Sequence, residues 1–175
     1  MSTATYVTLA DRGVLSVSGE DARTFLQGLI SNDINKVTPE RAIHAALLTP
    51  QGKYLHDFFI VQAPDGRLLI DCERERLPDL QKRLKMFKLR AKADLDDVSD
   101  DWTVVALPGT DGSAGLGLGD DAGMAKATDG GGVAYVDPRL AAMGARAILP
   151  AASADAFVAG LKGETDRTAY DRLRL

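Results

Sequence analysis

Four side chains near the middle of the chain could take part in chemistry: His44, His56, Asp57 and Cys72. A carboxylate such as Asp57 can hydrogen-bond an amine and stabilise a developing ammonium, which is general acid-base work. A lone histidine is more often a satisfied structural residue than a ligand. On residue type alone, an aspartate within a strand is more often an outward or paired surface residue. Residue types therefore make Asp57 a candidate without defining a site.

The single cysteine, Cys72, cannot form an internal disulfide. With His44 and His56 as the only histidines, no Cys/His set has the spacing of metal ligands. Cys72 ends a hydrophobic run, and we expect a buried, inert thiol there. The sequence therefore predicts no bound metal.

Composition excludes several classes of protein. The chain has 175 residues, 45% of them hydrophobic, and can bury a core. Its 21 basic and 25 acidic residues are mixed along the chain, and the net charge of -4 disfavours nucleic acid as a ligand. No apolar run is long enough for a bilayer, and the first residues lack a basic region followed by an apolar one. We therefore expect a cytoplasmic protein without a membrane partner.

The elements before the candidate residues are a predicted hairpin and a predicted helix. Strands Tyr6–Leu9 and Val14–Val17 flank Asp11-Arg12-Gly13, which is typical of a turn, and we expect them to pair. Apolar residues recur at helical spacing from 22 to 30, and Ser31-Asn32-Asp33 then favours the end of that helix.

The candidate residues themselves lie on a predicted antiparallel meander. Strand-like runs Ala42–Leu48 and Tyr54–Val61 flank Thr49-Pro50-Gln51-Gly52, where Pro and Gly suit the second and fourth positions of a type I turn. A second turn, Ala63–Gly66, leads into the run Leu68–Ile70. An amphipathic helix then follows, with Pro78 near its start and with apolar residues at helical spacing, namely Leu77, Leu80, Leu84 and Phe87. We interpret its basic residues as a solvated face rather than a site for an anionic partner; these are Lys82, Arg83, Lys85 and Lys88.

The remainder of the chain predicts more strands and two short helices. A glycine-rich loop is expected around residues 108–132, and it lacks the strand and helix setting of a phosphate-binding loop. The order of elements favours an α+β fold with antiparallel sheets flanked by helices. The expected strands are 89–95, 103–107, 133–136 and 145–149, and the expected helices are 153–161 and 165–173.

Several segments resemble the N-terminal portion of the YgfZ-type folate-binding proteins, which are relatives of aminomethyltransferase, the T-protein of glycine cleavage. This resemblance implies one folate-binding-type α+β domain over residues 1–175, with two intertwined halves at about 1–98 and 99–175 around a central opening for folate. The segments are Arg12-Gly13, Gly19–Ala22, Phe25–Asp33, Leu48–Lys53 with Asp57, Leu89–Lys92, Asp137–Arg139 with Gly144 and Arg146, and Ala169–Leu175.

Two features of that family are not found in this sequence. Its Lys-Gly-Cys-Tyr-x-Gly-Gln/Glu signature is missing, and Cys72 does not replace the signature cysteine. The C-terminal β-barrel that follows in the family is also lacking. These differences leave the folate-binding portion as the part that the resemblance covers.

The resemblance also implies the site residues. Asp57 stands where aminomethyltransferases carry the acidic residue that faces the folate amine, His44 stands in place of a ring-contacting tyrosine, and Thr49 lies at the same strand end. The residue before Asp57 is His56 rather than a second aspartate, which argues against turnover. We therefore expect these three residues to bind tetrahydrofolate or a derivative.

Three functions follow as hypotheses. The first is a tetrahydrofolate-binding protein of the YgfZ type, with an implied role in iron-sulfur protein maintenance and tRNA modification and with iron-sulfur assembly proteins as partners. The second is a tetrahydrofolate-dependent aminomethyltransferase of glycine cleavage. The third is a non-catalytic interaction module with the same fold.

Overall fold

The computed structural model describes residues 2–174, which form two compact units; Met1 and Leu175 lie outside the described residues. Residues 11–99 form one unit, here called the meander unit. Residues 2–10 and 100–174 form the other, here called the terminal unit. The sequence-based division after residue 98 falls beside the boundary at Ser99, but the first residues join the later part of the chain.

Helices and strands alternate irregularly along the chain. Four short 3-10 turns connect them within residues 2–174, at Ile34–Lys36, Arg74–Arg76, Ser99–Asp101 and Ala141–Met143. The strands are β1 (Thr5–Thr8), β2 (Arg12–Ser18), β3 (Ile43–Leu48), β4 (Tyr54–Gln62), β5 (Leu68–Glu73), β6 (Asp94–Asp97), β7 (Trp102–Pro108), β8 (Ala125–Ala127), β9 (Val133–Val136), β10 (Gly144–Pro150) and β11 (Gly163–Glu164). The helices are α1 (Ala22–Gln27), α2 (Leu77–Lys88), α3 (Gly109–Gly115), α4 (Ala151–Ala159) and α5 (Arg167–Leu173).

The meander unit is built on a five-stranded sheet in the order β3-β4-β5-β2-β6, with every neighbouring pair antiparallel. The predicted meander of β3, β4 and β5 is confirmed. Alternate residues of these strands, such as Phe58, Ile60 and Ile70, point into one apolar core together with Leu80 and Leu84 of α2. The predicted amphipathic helix is also confirmed, and burial of its leucine stripe fixes α2 on the sheet. Phe87, which the helical spacing predicts on the same packed face, is instead exposed at the helix end.

The terminal unit is built on a six-stranded sheet in the order β11-β1-β7-β10-β9-β8. Its pairs are antiparallel except for the short parallel pair of β1 and β11. Its core contains Val105, Leu107, Ala147 and Leu149, with Phe157 of α4 packed against it. The expected strands near 103–107, 133–136 and 145–149 and both expected C-terminal helices are present. The α+β class with antiparallel sheets flanked by helices is confirmed.

The predicted hairpin between the first two strands is wrong. Strand β1 pairs with β7 and β11, whereas Arg12 and Gly13 do not turn but extend into β2 and pair with Glu73 and Cys72 of β5. A side chain at Gly13 would place its Cβ 2.8 Å from Leu77 Cδ1. This glycine therefore serves close packing within a strand rather than a turn.

The expected strand from 89 to 95 is shorter than its alternating pattern suggested, because the ladder with β2 covers only Asp94 to Asp97. Lys92 instead bonds to the start of α1: its N–H donates to the Asp21 carboxylate at 2.8 Å, and its carbonyl accepts from the Asp21 N–H at 3.1 Å. These bonds hold the segment after α2 as an irregular connection.

The glycine-rich stretch from 108 to 132 is not only a loop, since it contains α3 and β8. Gly112 explains the missed helix: a Cβ there would lie 2.0 Å from the carbonyl oxygen of Leu107. Glycine thus allows α3 to approach the preceding strand closely, although glycine lowers intrinsic helix propensity. A propensity-based interpretation cannot recognise this tertiary requirement.

Candidate functional site

Asp57 and His44 lie side by side on the hairpin formed by β3 and β4. Asp57 is opposite Ala46, and His44 is opposite Phe59. Because side chains alternate between faces of a strand, these residues share the face opposite to Phe58 and the core of the meander unit. The sheet therefore presents the carboxylate and the imidazole together.

Both carboxylate oxygens of Asp57 are engaged. His44 Nε2 lies 3.0 Å from Asp57 Oδ2, and the Tyr54 hydroxyl donates to Asp57 Oδ1 at 2.6 Å. The His44 ring also lies against Phe59, with ring centroids 5.2 Å apart. The side chains of His44 and Asp57 keep 29% and 40% of their surface accessible, which leaves room for a ligand to reach them.

These contacts fix the charge of Asp57. The hydrogen bond from His44 holds the pKa of the Asp57 carboxyl well below its ordinary value. The hydrogen bond from Tyr54 and the positive charge of Arg12 also lower this pKa, whereas partial burial raises it. The pKa of Tyr54 is raised, by partial burial and then by its bond to Asp57. At neutral pH Asp57 is therefore an anion that accepts hydrogen bonds, with His44 donating from Nε2.

Tyr54 and Arg76 belong to this cluster, although sequence reasoning missed both. Arg76 Nη1 donates to the Tyr54 hydroxyl at 3.4 Å, its Nη2 donates to the Leu55 carbonyl, and its guanidinium carbon lies 5.8 Å from the Tyr54 ring centroid. A regular strand would place Tyr54 and Asp57 on opposite faces, but the pairing slips there, from Leu47 opposite His56 to Leu48 opposite Tyr54. This irregularity brings the tyrosine to the carboxylate.

Thr49 occupies the turn of the same hairpin. Its hydroxyl oxygen accepts from the Lys53 N–H at 3.0 Å, and its carbonyl accepts from the Gly52 N–H at 2.8 Å. Gly52 takes a positive φ of 83°, so the predicted turn is confirmed. Thr49 is five residue steps along the chain from His44, roughly 17 Å at the usual rise of a strand. The structure thus brings His44 and Asp57 into contact and places Thr49 in the turn; ligand binding by all three stays a prediction.

The Ser31-Asn32 segment supports His44 from the outer edge of β3. The Ser31 N–H donates to the Ala46 carbonyl at 2.9 Å, the Ala46 N–H donates to the Ser31 hydroxyl at 2.8 Å, and Asn32 Nδ2 donates to the His44 carbonyl at 3.0 Å. The predicted helix end at residues 31–33 is therefore too late, because α1 already ends at Gln27, and the Ser31 and Asn32 side chains instead form hydrogen bonds with the strand that carries the site.

His56 points away from the site. It lies on the core face of β4, and its Nε2 is 2.7 Å from Asp79 Oδ2 in the first turn of α2. Its side chain is only 4% accessible. The histidine that stands beside Asp57 in sequence therefore ties the sheet to α2 and does not act next to the carboxylate.

Cys72 is buried, and burial raises the pKa of its thiol to about 12. Within residues 2–174, no group of three or more His, Cys, Asp or Glu side chains could hold a metal ion.

In the terminal unit, the segment with Asp137, Arg139 and Arg146 forms a structural network. Arg139 donates to both oxygens of Asp137, from Nε at 3.0 Å and from Nη2 at 2.7 Å. The buried Arg146 donates from Nη1 to the Tyr170 hydroxyl at 2.9 Å. The Arg146–Tyr170 bond links the strand β10 to the helix α5 within the unit.

The two sheets with flanking helices define an α+β protein with the aminomethyltransferase fold. The glycine cleavage system aminomethyltransferase T from Bartonella henselae superposes with a TM-score of 0.76 at 16% sequence identity, covering 99% of this chain and 50% of that one. At this identity the likeness concerns the fold alone. Residues 3–117 match the family model of the GCVT N-terminal domain, and the chain belongs to that family.

Curated relatives carry a more specific name. The chain is 35% identical over 153 residues to the "Iron-sulfur cluster assembly factor IBA57 homolog, mitochondrial" of Mycosarcoma maydis, and 38% identical over 111 residues to the protein of the same name from Aspergillus oryzae. These matches cover 81% and 55% of this chain, but only 35% and 25% of the relatives. The matched part is thus a minor portion of each relative.

Proposed function

We propose that this chain is a YgfZ-type protein that binds tetrahydrofolate or a derivative and contributes to the maintenance of iron-sulfur proteins, including those needed for tRNA modification. The observation that carries the folate part is the ionised Asp57 beside His44 on the hairpin of a GCVT N-terminal domain. The relatives named as iron-sulfur cluster assembly factors support the cellular role and favour iron-sulfur assembly proteins as partners. A cytoplasmic location stays a prediction.

The residues present fit a folate. Asp57 accepts two hydrogen bonds, and an ionised carboxylate has about four acceptor positions, so it can accept further bonds from the amine groups of a pteridine. His44 and the exposed Tyr54 offer ring surfaces near this anion, which suits a flat aromatic ligand. A reduced folate supplies one-carbon chemistry when bound. Asp57 and His44 would orient it by hydrogen bonds.

Titration calorimetry with tetrahydrofolate tests the folate part. We expect saturable binding that is weak, because the side chains of Asp57 and His44 are partly exposed and would leave much of the ligand in water. No heat at millimolar ligand, from a chain that melts cooperatively, would contradict folate binding and would favour the interaction module.

The charge of Asp57 favours a binding role over aminomethyl transfer. A carboxylate whose pKa is held this low is a weak base, and effective proton transfer near neutral pH needs a pKa close to the working pH. In cells that lack the gene, we expect the specific activity of an iron-sulfur enzyme such as aconitase to fall while glycine cleavage is unchanged. The reverse pattern, with aconitase intact and glycine cleavage lost, would assign the transferase function instead.

A further inference from the structure

The end of α2 exposes three large apolar side chains within four residues. Met86 is 65% exposed, Phe87 54% and Leu89 88%. Leu89 ends the helix with a positive φ of 46°, a conformation that a leucine rarely adopts. Scattered apolar residues are common on surfaces, but an adjacent group of this kind marks an interaction surface.

Basic side chains surround these apolar residues. Lys82, Lys85, Lys88 and Arg90 have no carboxylate partner among residues 2–174, whereas the neighbouring Arg83 is paired with Asp79. The four unpaired cations and the three apolar residues are together called the α2 patch here; its members are Lys82, Lys85, Met86, Phe87, Lys88, Leu89 and Arg90. A shallow depression of about 430 Å³ on the same surface is lined by Pro78, Gln81, Lys82, Lys85 and Met86. The patch therefore combines unpaired positive charge with exposed apolar surface.

The rest of the meander unit holds the patch outward. Leu77, Leu80 and Leu84 are buried on the side of α2 opposite to Met86, and Phe87 continues this stripe past the core to an exposed position at the helix end. Gln81 Nε2 donates to the Leu95 carbonyl of β6 at 2.8 Å. Because these contacts fix the rotation of the helix, the basic and apolar side chains cannot turn into the core. The chain as a whole carries a net charge of -4, so an anionic surface would attract this patch and repel much of the remainder.

We propose that the α2 patch docks the protein on an anionic lipid bilayer, with Met86, Phe87 and Leu89 entering the headgroup region and the cations contacting lipid phosphates. Lysine is depleted in protein interfaces, whereas lysines beside protruding apolar residues are typical of segments that lie on membranes. Within residues 2–174 no helix is long and apolar enough to cross a membrane, so the contact is peripheral. The sequence alone favoured a solvated face because it did not reveal these exposed apolar residues.

Co-sedimentation of the whole chain with vesicles tests this. We expect binding to phosphatidylcholine vesicles that contain phosphatidylglycerol, and none to pure phosphatidylcholine. Lys82→Gln with Lys85→Gln should weaken binding about twenty-five-fold, at about fivefold per cation. Lys36→Gln with Lys162→Gln is the matched control, because both lysines are exposed and the net charge changes equally. It should bind within about twofold of the wild type.

A second variant tests the apolar part. Met86→Gln with Leu89→Asn should also weaken vesicle binding, and it should fold normally because both positions are exposed and asparagine tolerates positive φ. Unchanged thermal melts are the check on folding. The proposal is overturned by no binding to anionic vesicles at low salt, or by an equal loss in the control pair. Binding of poly-glutamate without vesicle binding would also overturn it, in favour of an acidic protein partner.

Discussion

Gly144→Ala is expected to lower the free energy of unfolding by about 3 to 5 kcal/mol. Gly144 begins β10 with a φ of 100°, where side chains are strained. Its Cβ would also lie 2.2 Å from the Leu107 carbonyl oxygen and 2.7 Å from the Gly109 nitrogen, and Leu107 is held in place by the pairing of β10 with β7. Backbone strain and steric overlap therefore both lower the free energy of unfolding of the variant. For a chain of this size we expect the melting temperature to fall by about 10 °C.

Gly109→Ala is the matched control in the same unit. Gly109 also has a positive φ, of 74°, but a Cβ there would meet nothing within 4 Å. It should cost only the conformational part, about 1 kcal/mol. Calorimetric or circular dichroism melts of the two variants separate the effects. Equal losses in both would show that the overlap with Leu107 is relieved by a small shift.

Local patterns predicted the part of the fold that carries the candidate site. The turn at Thr49–Gly52 is decided by neighbouring residues, since Pro and Gly occupy the positions that their backbones favour. The same holds for α2, whose leucine spacing is a property of one segment. Such elements need no information about distant partners. Strand partners are different, and β1 pairs with β7 and β11 although its nearest neighbour in sequence is β2.

The candidate site could be predicted only in part. Asp57 and His44 were identified through resemblance, because residue type alone favoured a surface aspartate and a structural histidine. Their contact depends on the register of β3 and β4, and the contribution of Tyr54 depends on the slip in that register near Leu55. Neither the register nor the slip changes the hydrophobic pattern of the sequence, so neither could be predicted from that pattern. The low pKa of Asp57 arises from these contacts, so it could not be predicted from the sequence either.

Asp57→Asn is expected to lower tetrahydrofolate affinity about ten- to hundredfold while the fold is kept, if Asp57 binds folate as proposed. The two side chains are nearly isosteric, but the variant loses a charge-assisted hydrogen bond of about 1.5 to 3 kcal/mol. His44 can change tautomer and accept from the new amide, and the Tyr54 hydroxyl can still donate to the remaining carbonyl oxygen. Titration calorimetry of both proteins measures the difference. Asp65→Asn, at an exposed turn carboxylate of the same unit, is the control and should bind as the wild type does.

The pH dependence of stability gives an independent check on the same carboxylate. Because the pKa of folded Asp57 is depressed, its ionised form adds stability above the unfolded pKa of about 3.9 and loses it as the pH falls toward the folded pKa. Asp57→Asn should therefore have a slightly lower free energy of unfolding than the wild type at pH 7. The difference should be under about 1 kcal/mol, because the Asp57 side chain is partly accessible to water. The two melts should converge in acid. A large loss of stability at pH 7 without ligand would show a structural carboxylate, and an unchanged folate affinity in the variant would remove Asp57 from the binding site.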